Sequence, residues 1–315
     1  MPRRIYPARA GFCGLPILLS CVRAGAPYPN QLALNLFFVR NPVPKVAILD
    51  MYAGHPNQGM RNIQELLDAF PTRLDWTVFD VRGANQLPAD PLAFDIYIST
   101  GGPGSPHDGD GEWDRRWFEL LQTLWDHNIA ARRTGAPRKF VFLICHSFQM
   151  ACRHFGVAHV TKRKSTSFGV LPVHQTLEGR HDPLLECLPD PFHVVDSRDW
   201  QCIRPNDAKL EAMGAEILAL EKIREHVPLE RAAMAIRFSE EIIGTQFHPE
   251  ADARGMMTYF SQPEKRQAVI AVHGEPKYLS MLDALDDDDK VPLTQATIIP
   301  TFLEMGIQSL MLQTA

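Results

Sequence analysis

Four short apolar runs, at residues 46–49, 76–81, 94–98 and 140–144, set what this chain can fold into. The first and last are apolar without interruption, and all four are rich in β-branched and aromatic residues. A strand with one wet face alternates polar and apolar side chains, whereas a strand covered on both faces reads as a continuous apolar run. Between the runs, residues 58–70 and 113–132 have helical periodicity. In the second of these, Trp117, Leu120, Leu121, Leu124 and Trp125 share one face, a stripe that reads as core packing. Such alternation predicts an α/β fold, an open, mostly parallel sheet flanked by helices. Residues 157–162, 168–173, 217–220, 234–238 and 242–247 read as further strands.

A chain of 315 residues suits one large domain with extensions better than two equal domains. Residues 1–44 contain Arg3, Arg4, Arg9, Arg23 and Arg40 and no acid, and read as a basic leader or an upstream start. The apolar stretch 15–21 leaves a targeting segment as the alternative. The catalytic domain is expected over 45–260 and an acidic extension over 261–315. In the extension, Asp286 to Asp289 read as a solvated loop rather than a metal site, and 298–312 as a helix packing back on the domain. A net charge of −5 provides no basic field for nucleic acid, and no apolar run reaches the roughly 18 residues of a membrane span. The 6 cysteines are scattered without CxxC spacing, which argues against a disulfide framework and a zinc cluster. A reducing, cytoplasmic location is expected, with no metal or cofactor.

Three segments carry chemistry. At 139–155 an apolar strand runs into a helical segment with Cys145 at the junction. A cysteine there is lifted from the sheet on a tight turn, and the helix N-terminus favours its thiolate. The backbone N–H of His146 faces the same space. At 244–250, Gly-Thr-Gln-Phe-His-Pro-Glu ends an apolar strand. A catalytic cysteine needs a base, and the base needs a third group to hold its tautomer, so His248 and Glu250 fit those two roles. A surface histidine is the plainer alternative for that tripeptide. At 99–106 a Gly/Pro loop directly follows a strand. It matches no phosphate-binding pattern, and it reads either as a turn or as a source of N–H groups for an oxyanion. If the three strands are parallel, the three segments meet at the sheet's carboxyl edge, where open α/β sheets bind ligands.

Together these segments resemble the class I, triad type of glutamine amidotransferase domain. Ile-Ser-Thr-Gly-Gly-Pro-Gly-Ser-Pro at 98–106 is similar to that family's oxyanion loop. Leu-Ile-Cys-His-Ser-Phe-Gln at 143–149 is similar to its Gly-x-Cys-x-Gly-x-Gln elbow, and Thr-Gln-Phe-His-Pro-Glu at 245–250 to its terminal motif. Ser197-Arg198-Asp199 is loosely similar to a Ser-His-x-Asp stretch between them, and the nearest flavour is the amidotransferase domain of guanosine monophosphate synthase. The resemblance implies a flavodoxin-like sheet, Cys145 as nucleophile, His248 as base and Glu250 as its orienting acid. It further implies Gly102 and His146 as backbone oxyanion donors, and Gly101, Gln149 and Ser197 at the substrate. The implied reaction hydrolyses the glutamine side-chain amide through a γ-glutamyl thioester, with ammonia passed to a partner synthetase. The alternatives are a stand-alone hydrolase or transferase of γ-glutamyl compounds and a catalytically idle regulatory module. Leu143 and Ser147 depart from the family pattern, since each stands where glycine is usual.

Overall fold

The computed structural model describes residues 43–314, apart from 56, 110, 226 and 227. All but the last two residues of the basic leader thus lie outside the described residues. Among the described residues, nine strands form one sheet in the order β2-β1-β3-β4-β9-β8-β7-β5-β6. Strands β1 (Lys45–Asp50), β2 (Asp75–Asp80), β3 (Ile96–Ser99), β4 (Phe140–Ile144) and β9 (Ile242–Thr245) pair in parallel. The sheet continues antiparallel through β8 (Ala233–Arg237), β7 (Glu216–Glu221), β5 (His159–Gln175) and β6 (Phe192–Ile203). Only β8 and β5 oppose the common direction, so the sheet is mostly parallel.

The apolar runs hide a two-residue alternation. Val46, Ile48, Ile96, Ile98, Phe140 and Phe142 face one side, where they pack with Ile63 and Leu67 of α1 (Gln58–Ala69). Ala47, Leu49, Tyr97, Val141 and Leu143 face the other, against α3 (Trp113–Thr134) and α4 (His146–Phe155). The stripe Trp117, Leu120, Leu121 and Leu124 of α3 is buried in that second core. Helices cover both faces because the side chains of the central parallel strands are almost all apolar on either side. Local signals place the ends. Asn57 caps α1 by accepting from Met60 N at 2.8 Å, and Gly135 and Gly156, both left-handed, terminate α3 and α4. Short α2 (Val81–Ala84) is capped by Asp80, and α5 (Asp207–Met213) by Asn206.

Two features differ from the sequence reading. β5 is one long strand where two were expected, and its pairing with β6 shifts register between Lys162 and Ser167, where the polar residues lie. β6 was not expected as a strand, because its inward positions include Asp196 and Arg198, which are buried as an ion pair. The C-terminal segment forms α6 (Ala253–Phe260), α7 (Pro263–His273), α8 (Glu275–Leu285) and α9 (Val291–Thr314). Ile298, Ile299, Phe302, Leu303 and Ile307 of α9 join the core on the α1 side of the sheet, and Asp286 to Asp289 lie between α8 and α9. No helix among the described residues is long and apolar enough to cross a membrane.

Candidate functional site

Parallel β1, β3, β4 and β9 end together, and the loops leaving them meet at one edge. Cys145 sits between β4 and α4 at φ 47° and ψ −94°, a backbone conformation that side chains rarely adopt. Such strain costs on the order of 1–3 kcal/mol and persists only where the surroundings fix it. Here Cys145 N donates to Thr245 O at 2.8 Å, and Cys145 O accepts from Gln149 N at 3.0 Å to start the helix. The two departures from glycine are accommodated locally. Leu143 fits because its cross-strand partner is Gly244, where an added Cβ would lie 3.1 Å from Leu143 Cβ. Ser147 is fully buried, with Oγ donating to Thr100 O at 2.6 Å.

His248 leaves the end of β9 and is held by its backbone N–H, which donates to Val195 O of β6 at 3.0 Å. Its Nδ1 lies 2.8 Å from Glu250 Oε1, and Glu250 is 1% exposed. Burial pulls the imidazole down, but the Glu250 carboxylate and the Cys145 sulfur together outweigh it and hold His248 well above its ordinary value. The imidazole is thus poised to carry a proton while hydrogen-bonding to both groups. Glu250 Oε2 has no partner among the described residues.

The glycine loop closes the site. A Cβ on Gly101 would stand 2.8 Å from His248 Cε1 and 3.6 Å from Cys145 Cβ, so the loop passes directly against both. A Cβ on Gly102 would collide with Met51 O. His146 opens α4, where a backbone N–H has no intrahelical acceptor. Its side chain points inward: burial, with Arg82 and Arg153 nearby, lowers the imidazole to about 3. That keeps it neutral and unfit as the base.

The two remaining residues expected at the substrate differ in their surroundings. Gln149 is buried and donates to Gln246 Oε1 at 3.2 Å and Trp200 O at 3.4 Å. Gln246 in turn donates to Cys145 Sγ at 3.7 Å, so Gln149 is one side chain removed from the sulfur. Ser197 lies exposed on β6, and the residue of that strand bonded to His248 is Val195.

The structure adds residues that the sequence did not single out. Tyr52, just past β1, has its hydroxyl pushed well above its ordinary value by burial, then by Glu250 and Cys145. Position at a parallel strand's carboxyl end was the available signal. The Arg198 side chain is 1% exposed and paired with Asp196 at 3.0 Å and Glu221 at 3.4 Å. Burial opposes its charge, but Asp196 and Glu221 hold it ionised, with a smaller contribution from Cys145. A cleft of about 530 Å³ opens beside the imidazole, lined by Tyr52, Asn57, Asn62, His248, Glu250 and Tyr259 among others. No group of three or more His, Cys, Asp or Glu side chains among the described residues converges to hold a metal ion.

Residues 62–262, more than half the chain, match the family model described as glutamine amidotransferase class-I. No curated protein sequence matches the chain. Among solved structures, a glutamine amidotransferase from Thermotoga maritima is similar at 14% identity and TM-score 0.60, over 84% of this chain and 98% of that one. A glutamine amidotransferase from Methylobacillus flagellatus is similar at 15% identity and TM-score 0.59, over 84% and 94%. A candidate GMP synthase subunit from Thermoplasma acidophilum is similar at 17% identity and TM-score 0.50, over 87% and 98%. At these identities the likeness is one of fold.

Proposed function

The chain belongs to the class-I glutamine amidotransferase family, and from that premise we propose that it hydrolyses the glutamine side-chain amide through Cys145, His248 and Glu250. The observation that carries this reading is the His248 imidazole, whose Nδ1 lies 2.8 Å from Glu250 Oε1 while the ring hydrogen-bonds the Cys145 sulfur. A cysteine sulfur hydrogen-bonded to an imidazole that a carboxylate orients is the arrangement a nucleophilic cysteine needs.

In the proposed reaction, the Cys145 thiolate attacks the amide carbon. The carbonyl oxygen becomes an oxyanion that the N–H groups of Gly102 and His146 stabilise. The imidazolium gives its proton to the leaving nitrogen, the C–N bond breaks, and ammonia departs from a γ-glutamyl thioester. Neutral His248 then takes a proton from water, and the resulting hydroxide attacks the thioester. Thiolate leaves, His248 is again protonated, and glutamate dissociates. Glu250 orients Nδ1 throughout and offsets the positive charge. Ammonia passes to a partner synthetase in the same cytoplasmic compartment; a protein of similar fold that is named as part of a synthase supports this pairing.

A second reading, stand-alone hydrolysis of an N-substituted γ-glutamyl amide, draws on the cleft of about 530 Å³ beside His248, which exceeds what ammonia needs. Glutamate and ammonia release from glutamine and from a panel of γ-glutamyl amides separates the two. Preference for glutamine supports the first reading, and preference for a substituted amide supports the second. No release from any amide while glutamine still binds would reject both in favour of a regulatory module.

A further inference from the structure

The serine that replaces the usual elbow glycine sits at the end of a directed hydrogen-bond chain. Trp117 Nε1 donates to Ser99 Oγ at 3.0 Å, Ser99 Oγ lies 2.8 Å from Ser147 Oγ, and Ser147 Oγ donates to Thr100 O at 2.6 Å. With one proton on each hydroxyl, only one direction satisfies every contact, from the indole to the Thr100 carbonyl. Ser99, Thr100 and Ser147 are 0% exposed and Trp117 1%, so no water competes for these groups.

Thr100 is fixed at each of its polar groups. Its N–H donates to Leu49 O at 3.0 Å, and its Oγ1 accepts from Met51 N at 2.9 Å and donates to Gly101 O at 2.9 Å. A trans peptide is planar and directs its C=O and N–H to opposite sides. Holding Thr100 O therefore aims the Gly101 N–H, and holding Gly101 O aims the Gly102 N–H. Ser147 itself follows His146 on α4, whose backbone N–H is the other donor in the proposed reaction. One hydroxyl thus ties two loops from different strands, each of which carries a donor. Arg82 and Arg153 brace the same loop further on, donating to Pro103 O and Pro106 O, each at 2.7 Å.

We infer that Ser147 is a positioning residue, whose bond to Thr100 O fixes the glycine loop against the cysteine elbow and so sets the spacing of the two N–H groups that receive the oxyanion. This inference rests on the proposed amide hydrolysis for its catalytic consequence, but the clamp itself can be read without turnover. Glycine or alanine at 147 keeps the elbow's backbone and deletes the tie to Thr100 O together with the acceptor of the Ser99 hydroxyl.

The test compares Ser147→Ala, Ser147→Gly and Thr100→Val with the wild type by amide hydrogen exchange and by steady-state hydrolysis of glutamine. Each variant should exchange the 99–106 segment about tenfold faster, with 140–144 unchanged. Each should also lower kcat about tenfold, less than the ~10²–10³ expected for losing a donor outright, with KM within about twofold. Double variants should lose less than the product of the single losses, since both residues act on one loop. Alkylation of Cys145 by iodoacetamide should keep its wild-type rate, which separates a loosened loop from a damaged nucleophile. Unchanged exchange at 99–106 in the Ser147 variants overturns the clamp. Faster exchange with unchanged kcat overturns its positioning role. A wild type that hydrolyses no amide would sink the proposed function, and exchange would still decide the clamp. If Ser147→Ala fails to fold, Ser147→Gly, which removes the same bond to Thr100 O, reads the same segment.

Discussion

Replacing Gly101 by alanine adds one methyl group where the glycine loop passes His248. The new Cβ would stand 2.8 Å from His248 Cε1, whereas carbon–carbon contacts settle at about 3.5–4.0 Å, so loop and ring must part by roughly 0.7 Å or more. Tyr52 Oη at 3.3 Å and Cys145 Cβ at 3.6 Å restrict sideways escape. His248 is also held by Val195 O at 3.0 Å and by Glu250 at 2.8 Å, so the displacement falls on its alignment with Cys145. Misplacement approaching 1 Å at a reacting pair costs on the order of 10²-fold, or about 2.7 kcal/mol of transition-state stabilisation. Gly101 is not among the positive-φ residues, so its backbone accepts alanine. The lost flexibility of the unfolded chain then contributes about 0.4–1 kcal/mol towards stability, which partly offsets the clash. The expected variant melts close to wild type yet loses about 10²-fold in kcat/KM for ammonia release from glutamine. Its Cys145 alkylation rate should fall as well. A folded variant with kcat/KM within about threefold of wild type, under ~0.7 kcal/mol, would refute the close approach of loop and imidazole.

Three further perturbations separate site from scaffold. Glu250→Gln keeps the shape but removes the charge that holds His248 protonated, a charged hydrogen bond of about 1.5–3 kcal/mol; kcat/KM should fall by about ten- to a hundredfold. The sign of the pH effect follows from the raised His248 value. The stabilisation linked to its protonation is complete below the ordinary value near ~6.5 and is lost as pH rises through the folded value. Urea melts across that range should therefore flatten in Glu250→Gln, and an unchanged pH slope would contradict the assignment. Gly244→Ala would place a Cβ 2.7 Å from Phe148 Cδ2 and 3.1 Å from Leu143 Cβ. Overpacking of this kind costs about 1–3 kcal/mol, so a wild-type Tm would show that Leu143 does not depend on its glycine partner. Arg198→Met leaves Asp196 buried without its cation, at a cost of about 3–5 kcal/mol. A chemical-denaturation midpoint equal to wild type would contradict that burial.

Much of the parallel half of the sheet is legible in the sequence, because strands buried on both faces leave continuous apolar runs that turn chemistry cannot imitate. The antiparallel half is less so. β6 conceals Asp196 and Arg198 as a buried pair, and two charged residues erase the alternation that identifies a strand. β5 reads as two because the polar stretch between Lys162 and Ser167 carries a register shift rather than a turn. At the candidate site, the meeting of His248 with Glu250 and the Cys145 junction follow from local motifs. Gln246, Gln149 and Tyr52 do not, since their positions depend on which strands are neighbours. Leu143 and Ser147 look like damage to the elbow in one dimension. In three, Gly244 gives up the space that Leu143 takes, and Ser147 finds Thr100 O.

In the proposed reaction, Cys145 carries a γ-glutamyl group during turnover. Acid quenching of the protein mixed with glutamine, followed by mass spectrometry of the peptide containing Cys145, tests it directly. A γ-glutamyl adduct on Cys145 that forms in wild type and is absent in Cys145→Ala, together with loss of ammonia release in that variant, is the predicted result. Ammonia release that persists in Cys145→Ala would exclude Cys145 as the nucleophile.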